Sequence, residues 1–248
     1  VSPRSAHKTL SIVVPIKNEA LILEANLADL QQRCSELSSS ERIQIEVVLA
    51  DCGSTDLSLE IARSFCDDPS WHFVSQEIPF ASVGKTVHLG LQASSGLYVL
   101  ILPADCRFAK EALPRFLSMV SQSKLDWGGF RKAYEPSSLF LKVYVWLLNR
   151  IRSQLLRNLV WTNGIFVRRK ILEDEGIPLS GFLEDLDLSD RLKRKYRFRF
   201  FQPIIFVSSR RYTKSPFRHA VINATVIALH RLGFKDRLRL RSLYEYGD

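Results

Sequence analysis

Five carboxylates stand where strand-like apolar runs end: Glu19, Asp51, Asp105 and the adjacent Glu184 and Asp185. Each has an ordinary structural use. Asp51 can fix the Gly53-Ser54 turn, Asp105 can cap the next helix, and Glu184 and Asp185 suit a helix N-terminus electrostatically. Gathered at one edge of a sheet, they would repel one another unless a cation, or a donor such as an amide or base N–H, lay among them. Hard divalent ions bound through oxygen and phosphate are the natural complement. Two other nucleotide signals fail. Gly84-Lys85-Thr86 has the close of a phosphate loop, but Pro79 stands where the earlier glycine is needed. Residues 16–20 contain no glycine, which excludes a dinucleotide fingerprint after the first strand.

The elements that must position these acids follow from apolar patterning. Strands are expected at 10–15, 45–50, 71–75 and 98–102, and helices at 19–37, 56–65 (capped by Asp56) and 83–93. Near-continuous apolar strands alternating with helices describe an α/β fold whose parallel sheet is covered on both faces. Ligands bind such sheets beyond the carboxyl ends of the strands, at the loops after Pro15, Ala50 and Leu102. The second half is less regular. It reads as a strand at 127–133, a basic amphipathic segment at 139–160, a strand at 164–168 and a helix entered through residues 181–188. A strand pair over 198–208 broken at Pro203 and a closing helix at 218–232 follow. In the amphipathic segment Phe140, Val143, Leu147, Ile151 and Leu155 share one face. Core packing is expected of the aromatic-basic stretch 144–161. Peripheral membrane contact, with Trp and Arg at the headgroup level, is the sharper alternative. The closing helix permits the same readings or a homodimer contact.

The 248 residues carry a net charge of +9, with 46% hydrophobic and 25% charged residues, a composition that excludes disordered and fibrous classes. Cys34, Cys52, Cys66 and Cys106 form no CxxC pair, which argues against a disulfide scaffold or zinc ribbon and for a reduced, cytoplasmic compartment. No apolar run approaches the roughly 20 residues of a spanning helix. From Arg191 onward 15 Lys and Arg face 3 Asp and Glu, so the positive excess sits in the last quarter of the chain. Phosphate groups, an anionic membrane surface or nucleic acid would answer such a block. A solvated helix face accounts equally well for Lys193, Arg194 and Lys195.

Four stretches in order carry a family resemblance: Leu-Ser-Ile-Val-Val-Pro-Ile-Lys-Asn-Glu (10–19), Val-Leu-Ala-Asp-Cys-Gly-Ser-Thr-Asp (48–56), Leu-Pro-Ala-Asp-Cys (102–106) and Phe-Leu-Glu-Asp-Leu-Asp-Leu (182–188). Together they resemble a family 2 glycosyltransferase of the GT-A fold, over about residues 10–233. Gly-Ile-Phe-Val-Arg-Arg (164–169) and Ser-Ser-Arg-Arg-Tyr (208–212) further resemble a compact bacterial subgroup of uncertain substrate. The resemblance implies one Rossmann-like domain over 1–248 with a mostly parallel sheet. Residues 10–135 would form the nucleotide-sugar-binding half, 136–233 the acceptor-side half and 234–248 a basic tail. It also implies inverting transfer of a sugar from a nucleoside-diphosphate donor to an acceptor hydroxyl, lipid-linked in one reading.

That chemistry needs charge neutralisation at the leaving diphosphate, a base for the acceptor proton and a pocket that aligns the anomeric carbon. By resemblance Asp105 is the metal-side aspartate for Mn²⁺ or Mg²⁺. Asp185 and Glu184 are the catalytic residues, with Asp185 the base. Pro15, Glu19 and Asp51 line the nucleoside pocket, Lys85 lies near the donor, and Arg210 and Arg211 clamp diphosphate. Two departures stand out. Pro103 replaces the first acid of the usual Asp-x-Asp and Cys106 follows Asp105, which leaves metal binding weak, water-rich or absent. Cys52 replaces the second acid of Asp-Asp-Gly-Ser, so the sequence does not fix uridine as the donor base. Cys52 and Cys106 are expected to be buried, inert thiols. Two rival readings are a degenerate domain that binds nucleotide without turnover, and a nucleic-acid binder using the basic last quarter. The second has no recognition motif beyond charge, so no specific nucleic acid is expected.

Overall fold

The computed structural model describes residues 10–38, 44–78, 81–122, 125–213 and 215–234. The basic tail therefore lies outside the described residues, apart from Phe234. Strands β1 (Leu10–Ile16) and β2 (Ile45–Asp51) are buried along their whole length. They can be, because apolar side chains point alternately into two covered faces. Helices α1 (Ala20–Ser38), α2 (Ser58–Ser64) and α3 (Val83–Gln92) link them to β3 (Trp71–Ser75) and β4 (Tyr98–Ile101). The second half adds β5 (Cys106–Phe108), α4 (Ala112–Gln122), β6 (Trp127–Glu135) and α5 (Leu139–Leu147), which continues into a π-helical stretch, Leu148–Leu155. Then come β7 (Ile165–Arg168), α6 (Arg169–Glu175), α7 (Glu184–Leu192), β8 (Phe198–Ser208) and α8 (Pro216–Arg231).

All eight strands join one mixed sheet in the order β3-β2-β1-β4-β7-β6-β8-β5. The first four strands are mutually parallel, as are β6 and β8. β7 runs antiparallel to both its neighbours, and β5 antiparallel to β8. Leu10, Ile12 and Val14 face a layer that includes α1 and α4, where Phe116 packs 5.0–5.6 Å from the rings of Phe166, Phe130 and Phe201. Val13, Val48 and Val99 face the opposite layer, with Val87 of α3, Ile171 of α6 and Leu188 of α7. Each such side chain contributes roughly 1.5–3 kcal/mol relative to exposure.

Two expectations change. Residues 198–208 form one strand: Phe130 pairs with Phe201 and Arg131 with Ile204, so Gln202 and Pro203 bulge out of the ladder. A bulge takes up a proline, which has no N–H to donate, without ending the strand. The amphipathic segment also turns its predicted apolar face outward. Val143, Ile151 and Leu155 are 53%, 50% and 73% exposed. Leu141, Val145, Asn149 and Ser153 are buried instead. The segment is apolar on several sides, so periodicity identifies a face without saying which side the core covers.

Candidate active site

The loops after β1 and β2 are zipped together by the polar residues of their own motifs. Asp51 accepts from Gly53 N (2.8 Å), Ser54 N (3.0 Å) and Ser54 Oγ, closing the turn. Ser54 Oγ in turn accepts from Asn18 N (2.9 Å), and Asn18 Oδ1 accepts from Thr55 N (2.8 Å). Ser58 Oγ accepts from Glu19 N (2.8 Å). Asp56 accepts from Ala20 N (3.1 Å) and Ser58 N (3.0 Å), so a single carboxylate serves the first residues of both α1 and α2. Asn18 tolerates the left-handed φ of 53° that this turn requires. Lys17 Nζ donates to the carbonyls of Cys52 (3.1 Å) and Gly53.

A second strained turn delivers the acidic pair. Leu183 has φ 56°, a backbone region that non-glycine residues seldom occupy, and it sits immediately before α7. The next two side chains then diverge in use. Glu184, 2% exposed, accepts from Ser82 Oγ (2.7 Å), Gly84 N (2.7 Å) and Gly181 N (3.0 Å), bolting the start of α3 to the start of α7. A Cβ on Gly84 would fall 2.5 Å from the Glu184 carboxyl carbon, which explains that glycine. Among the described residues Asp185 accepts only backbone N–H groups, from Trp161 (3.1 Å) and Leu186 (2.8 Å).

Asp105 and Asp185 open into one cavity of about 580 Å³. Pro15, Glu19, Glu184 and Arg211 line it as well, together with Lys17, Lys132, Tyr144, Arg152, Trp161 and Thr162. Arg210 stands beside the wall and pairs with Glu19, tying the loop after β8 to the loop after β1. Asp51 is consumed by its turn and Lys85 lies on the first turn of α3; neither side chain lines the cavity. Lys17, Lys132 and Arg152 escaped the sequence reading. Lys17 was legible, since it falls inside the first motif. Lys132 and Arg152 carry no local signal, because only the pairing of β6 and the packing of the π-helical stretch bring them there.

Burial sets the electrostatics. It pushes the Asp185 carboxyl up to about 6, against the pull of the Trp161 and Leu186 N–H groups and Arg152. Burial also raises Glu19, with Arg210 partly offsetting it. Cys52 and Cys106 are buried, and desolvation pushes both thiols up, so they stay protonated and unreactive.

Residues 11–172 match the family model described as glycosyl transferase family 2. An undecaprenyl-phosphate 4-deoxy-4-formamido-L-arabinose transferase from Photorhabdus laumondii is 30% identical over 148 residues, 57% of this chain and 42% of that protein. The chain thus spans less than half the length of such relatives. Among solved structures, a mannosyltransferase from Pyrobaculum calidifontis in complex with GDP-Man and Mn²⁺ superposes with a TM-score of 0.66 at 15% identity, covering 97% of this chain and 70% of that one. Residues 1–349 of TarS from S. aureus, in complex with UDP-GlcNAc, give 0.60 at 20% identity, covering 81% and 58%. These likenesses establish the fold, which is the GT-A fold that the motifs imply.

Proposed function

This chain belongs to glycosyl transferase family 2, and on that premise we propose that its cavity transfers a sugar, with inversion, from a nucleoside-diphosphate donor to an acceptor hydroxyl. The observation that carries the reading is the convergence of Asp105 and Asp185, from stretches 80 residues apart in sequence, on one cavity. The volume suits a nucleotide sugar. In this reading Asp185 is the base: a carboxylate held up near 6 accepts a proton readily at neutral pH, and its fixed backbone donors aim it. Glu184 is a positioning residue, holding α3 and α7 in register through its hydrogen bonds. Pro15 and Glu19 line the donor side, Asp51 braces that wall from behind, and Lys85 stands outside it. Arg211 and the Glu19-bound Arg210 present guanidinium groups suited to diphosphate oxygens.

The divalent cation fits this site in one form only. Among the described residues no three His, Cys, Asp or Glu side chains cluster to hold a metal. Magnesium-type sites in nucleotide enzymes commonly use one or two carboxylates plus substrate phosphates, and Asp105 can serve as that single carboxylate. When bound, the ion would neutralise charge developing on the leaving diphosphate.

A lipid-linked acceptor is supported by the exposed face of α5 and the π-helical stretch. Leu139, Trp146 and Leu155 are 78%, 51% and 73% exposed, and Phe217 of α8 extends the patch beside Phe140, 6.2 Å between ring centroids. Lys142, Arg150 and Arg157 are exposed along this segment, and residues 139–157 contain no acid. Apolar side chains flanked by cations suit an anionic bilayer surface. Among the described residues no helix is long and apolar enough to cross a membrane. The protein should co-sediment with vesicles containing phosphatidylglycerol, and Trp146→Ala with Leu155→Ser should abolish this; equal sedimentation of the variant would refute the surface assignment. The donor reading is tested by thermal shift with UDP, GDP and their sugars, with and without Mn²⁺. Stabilisation by one nucleotide is expected, and none by any nucleotide would overturn it.

A further inference from the structure

Lys132 is 3% exposed in the middle of β6, and its side chain lines the cavity that holds Asp105 and Asp185. Its backbone is locked by Asn149, whose side-chain amide accepts from Lys132 N (3.2 Å) and donates to Lys132 O (2.8 Å). Its ammonium donates to Thr162 Oγ1 (2.9 Å) and lies 5.4 Å from the centre of the Tyr134 ring. Neither is a counter-ion, and among the described residues no carboxylate pairs with it. An ammonium has three donors, and burying it without an opposite charge is costly. Arg152, on the same wall, compounds the problem. Its Nε is buried with no acceptor, and its Nη2 reaches Asn163 Oδ1 only at 3.4 Å. Burial and then the Arg152 charge push the Lys132 ammonium down to about 7, while the charges of Asp105 and Asp185 pull it back up. Two neighbouring cations with unused donors, facing a cavity, await an anion.

We propose that Lys132 and Arg152 form a subsite for a phosphoryl group, belonging either to the donor diphosphate or to a phosphorylated acceptor. This rests on the reading of the cavity as a nucleotide-sugar site and adds the protein's own cations to it. A phosphoryl group supplies several acceptor oxygens and up to two negative charges, which would answer the spare N–H groups of Lys132 and the charge of the Arg152 guanidinium together.

The test is calorimetric titration of wild type, Lys132→Met, Lys132→Arg and Arg152→Met with UDP, with GDP and with geranyl phosphate, in EDTA and again in Mn²⁺. Geraniol serves as the uncharged control. Lys132→Met should weaken at least one phosphoryl ligand tenfold or more, and Lys132→Arg should recover most of the loss. A loss confined to the nucleotides assigns the subsite to the donor; one confined to geranyl phosphate assigns it to the acceptor. If a cooperatively melting Lys132→Met binds every phosphoryl ligand within twofold of wild type, the subsite is refuted. Should that variant not fold, Arg152→Met binding within twofold of wild type refutes it equally. Wild type failing to bind any nucleotide would instead overturn the donor reading itself.

Discussion

At the amino-terminal ends of the strands, Glu46 is 2% exposed and accepts from Ser11 Oγ (2.6 Å) and Gly96 N (3.0 Å), with Ser95 donating as well. Arg169 completes that cluster, donating to Gly96 O (2.6 Å) and Ser94 Oγ (2.8 Å). Toward the carboxyl ends Asp185 and Lys132 are buried to a similar degree, yet they line a cavity, and among the described residues the Lys132 ammonium has only the Thr162 hydroxyl as a hydrogen-bond partner. One edge of the sheet closes its polar groups on each other; the opposite edge leaves them partly unsatisfied. In the first case its neighbours stabilise the buried charge; in the second the proposed phosphoryl ligand would do so. The comparison separates stability from function residue by residue.

The largest expected effect lies at the open edge. Asp185→Asn removes the base while keeping the shape, and donor-dependent turnover should fall about a thousandfold, within the range of general-base losses. A loss under tenfold in steady-state kinetics would remove Asp185 from that role. At the closed edge, Glu46→Ala leaves several buried donors unpaired and should lower unfolding free energy by about 3 kcal/mol. Turnover per folded molecule should not change; denaturant titration and kinetics on the same preparation check both halves.

A comparable free energy tests the cost of openness. The Asp185 carboxyl is raised from 3.8 to about 6 by folding, so the stability it contributes is fully present below the unfolded value and is lost as pH rises through 6. Relative to wild type, Asp185→Asn should therefore gain about 2 kcal/mol between pH 4 and pH 8. A difference between the two proteins that stays constant over that range would mean that Asp185 titrates normally. The smallest effect also lies at the open edge, where Ser82 lines the cavity. Ser82→Ala removes one of the donors to Glu184 and the cap of α3, costing about 1 kcal/mol. Its signature is a modest fall in melting temperature accompanied by a few-fold loss of turnover.

Much of the closed framework was legible in the sequence. The first four strands fall within a residue of their expected ends, because alternating burial on two covered faces leaves an apolar run with little ambiguity. Glu19 and Asp105 were legible through motifs at strand ends; Glu184 and Asp185 were legible through their motif too, but it opens α7 and follows no strand. Asp51 shows the limit of such reading: a motif residue can be spent on the turn that presents the site. β5 escaped because three residues carry no period, and its partner strand lies far along the chain. Lys132 escaped for a related reason. A lysine in an alternating strand reads as solvated until the π-helical stretch covers it, and that cover depends on which face of an apolar helix turns inward.

The claim beneath all of this is that Asp185 acts as a base inside a cavity that also holds the donor. The most direct measurement is kcat/KM for nucleoside-diphosphate release from the nucleotide sugar between pH 5 and pH 8. The account predicts a rate that climbs through about pH 6, with this rising limb missing from the residual activity of Asp185→Asn. A wild-type rate that is flat across that range, or an Asn variant whose profile matches wild type, would contradict it.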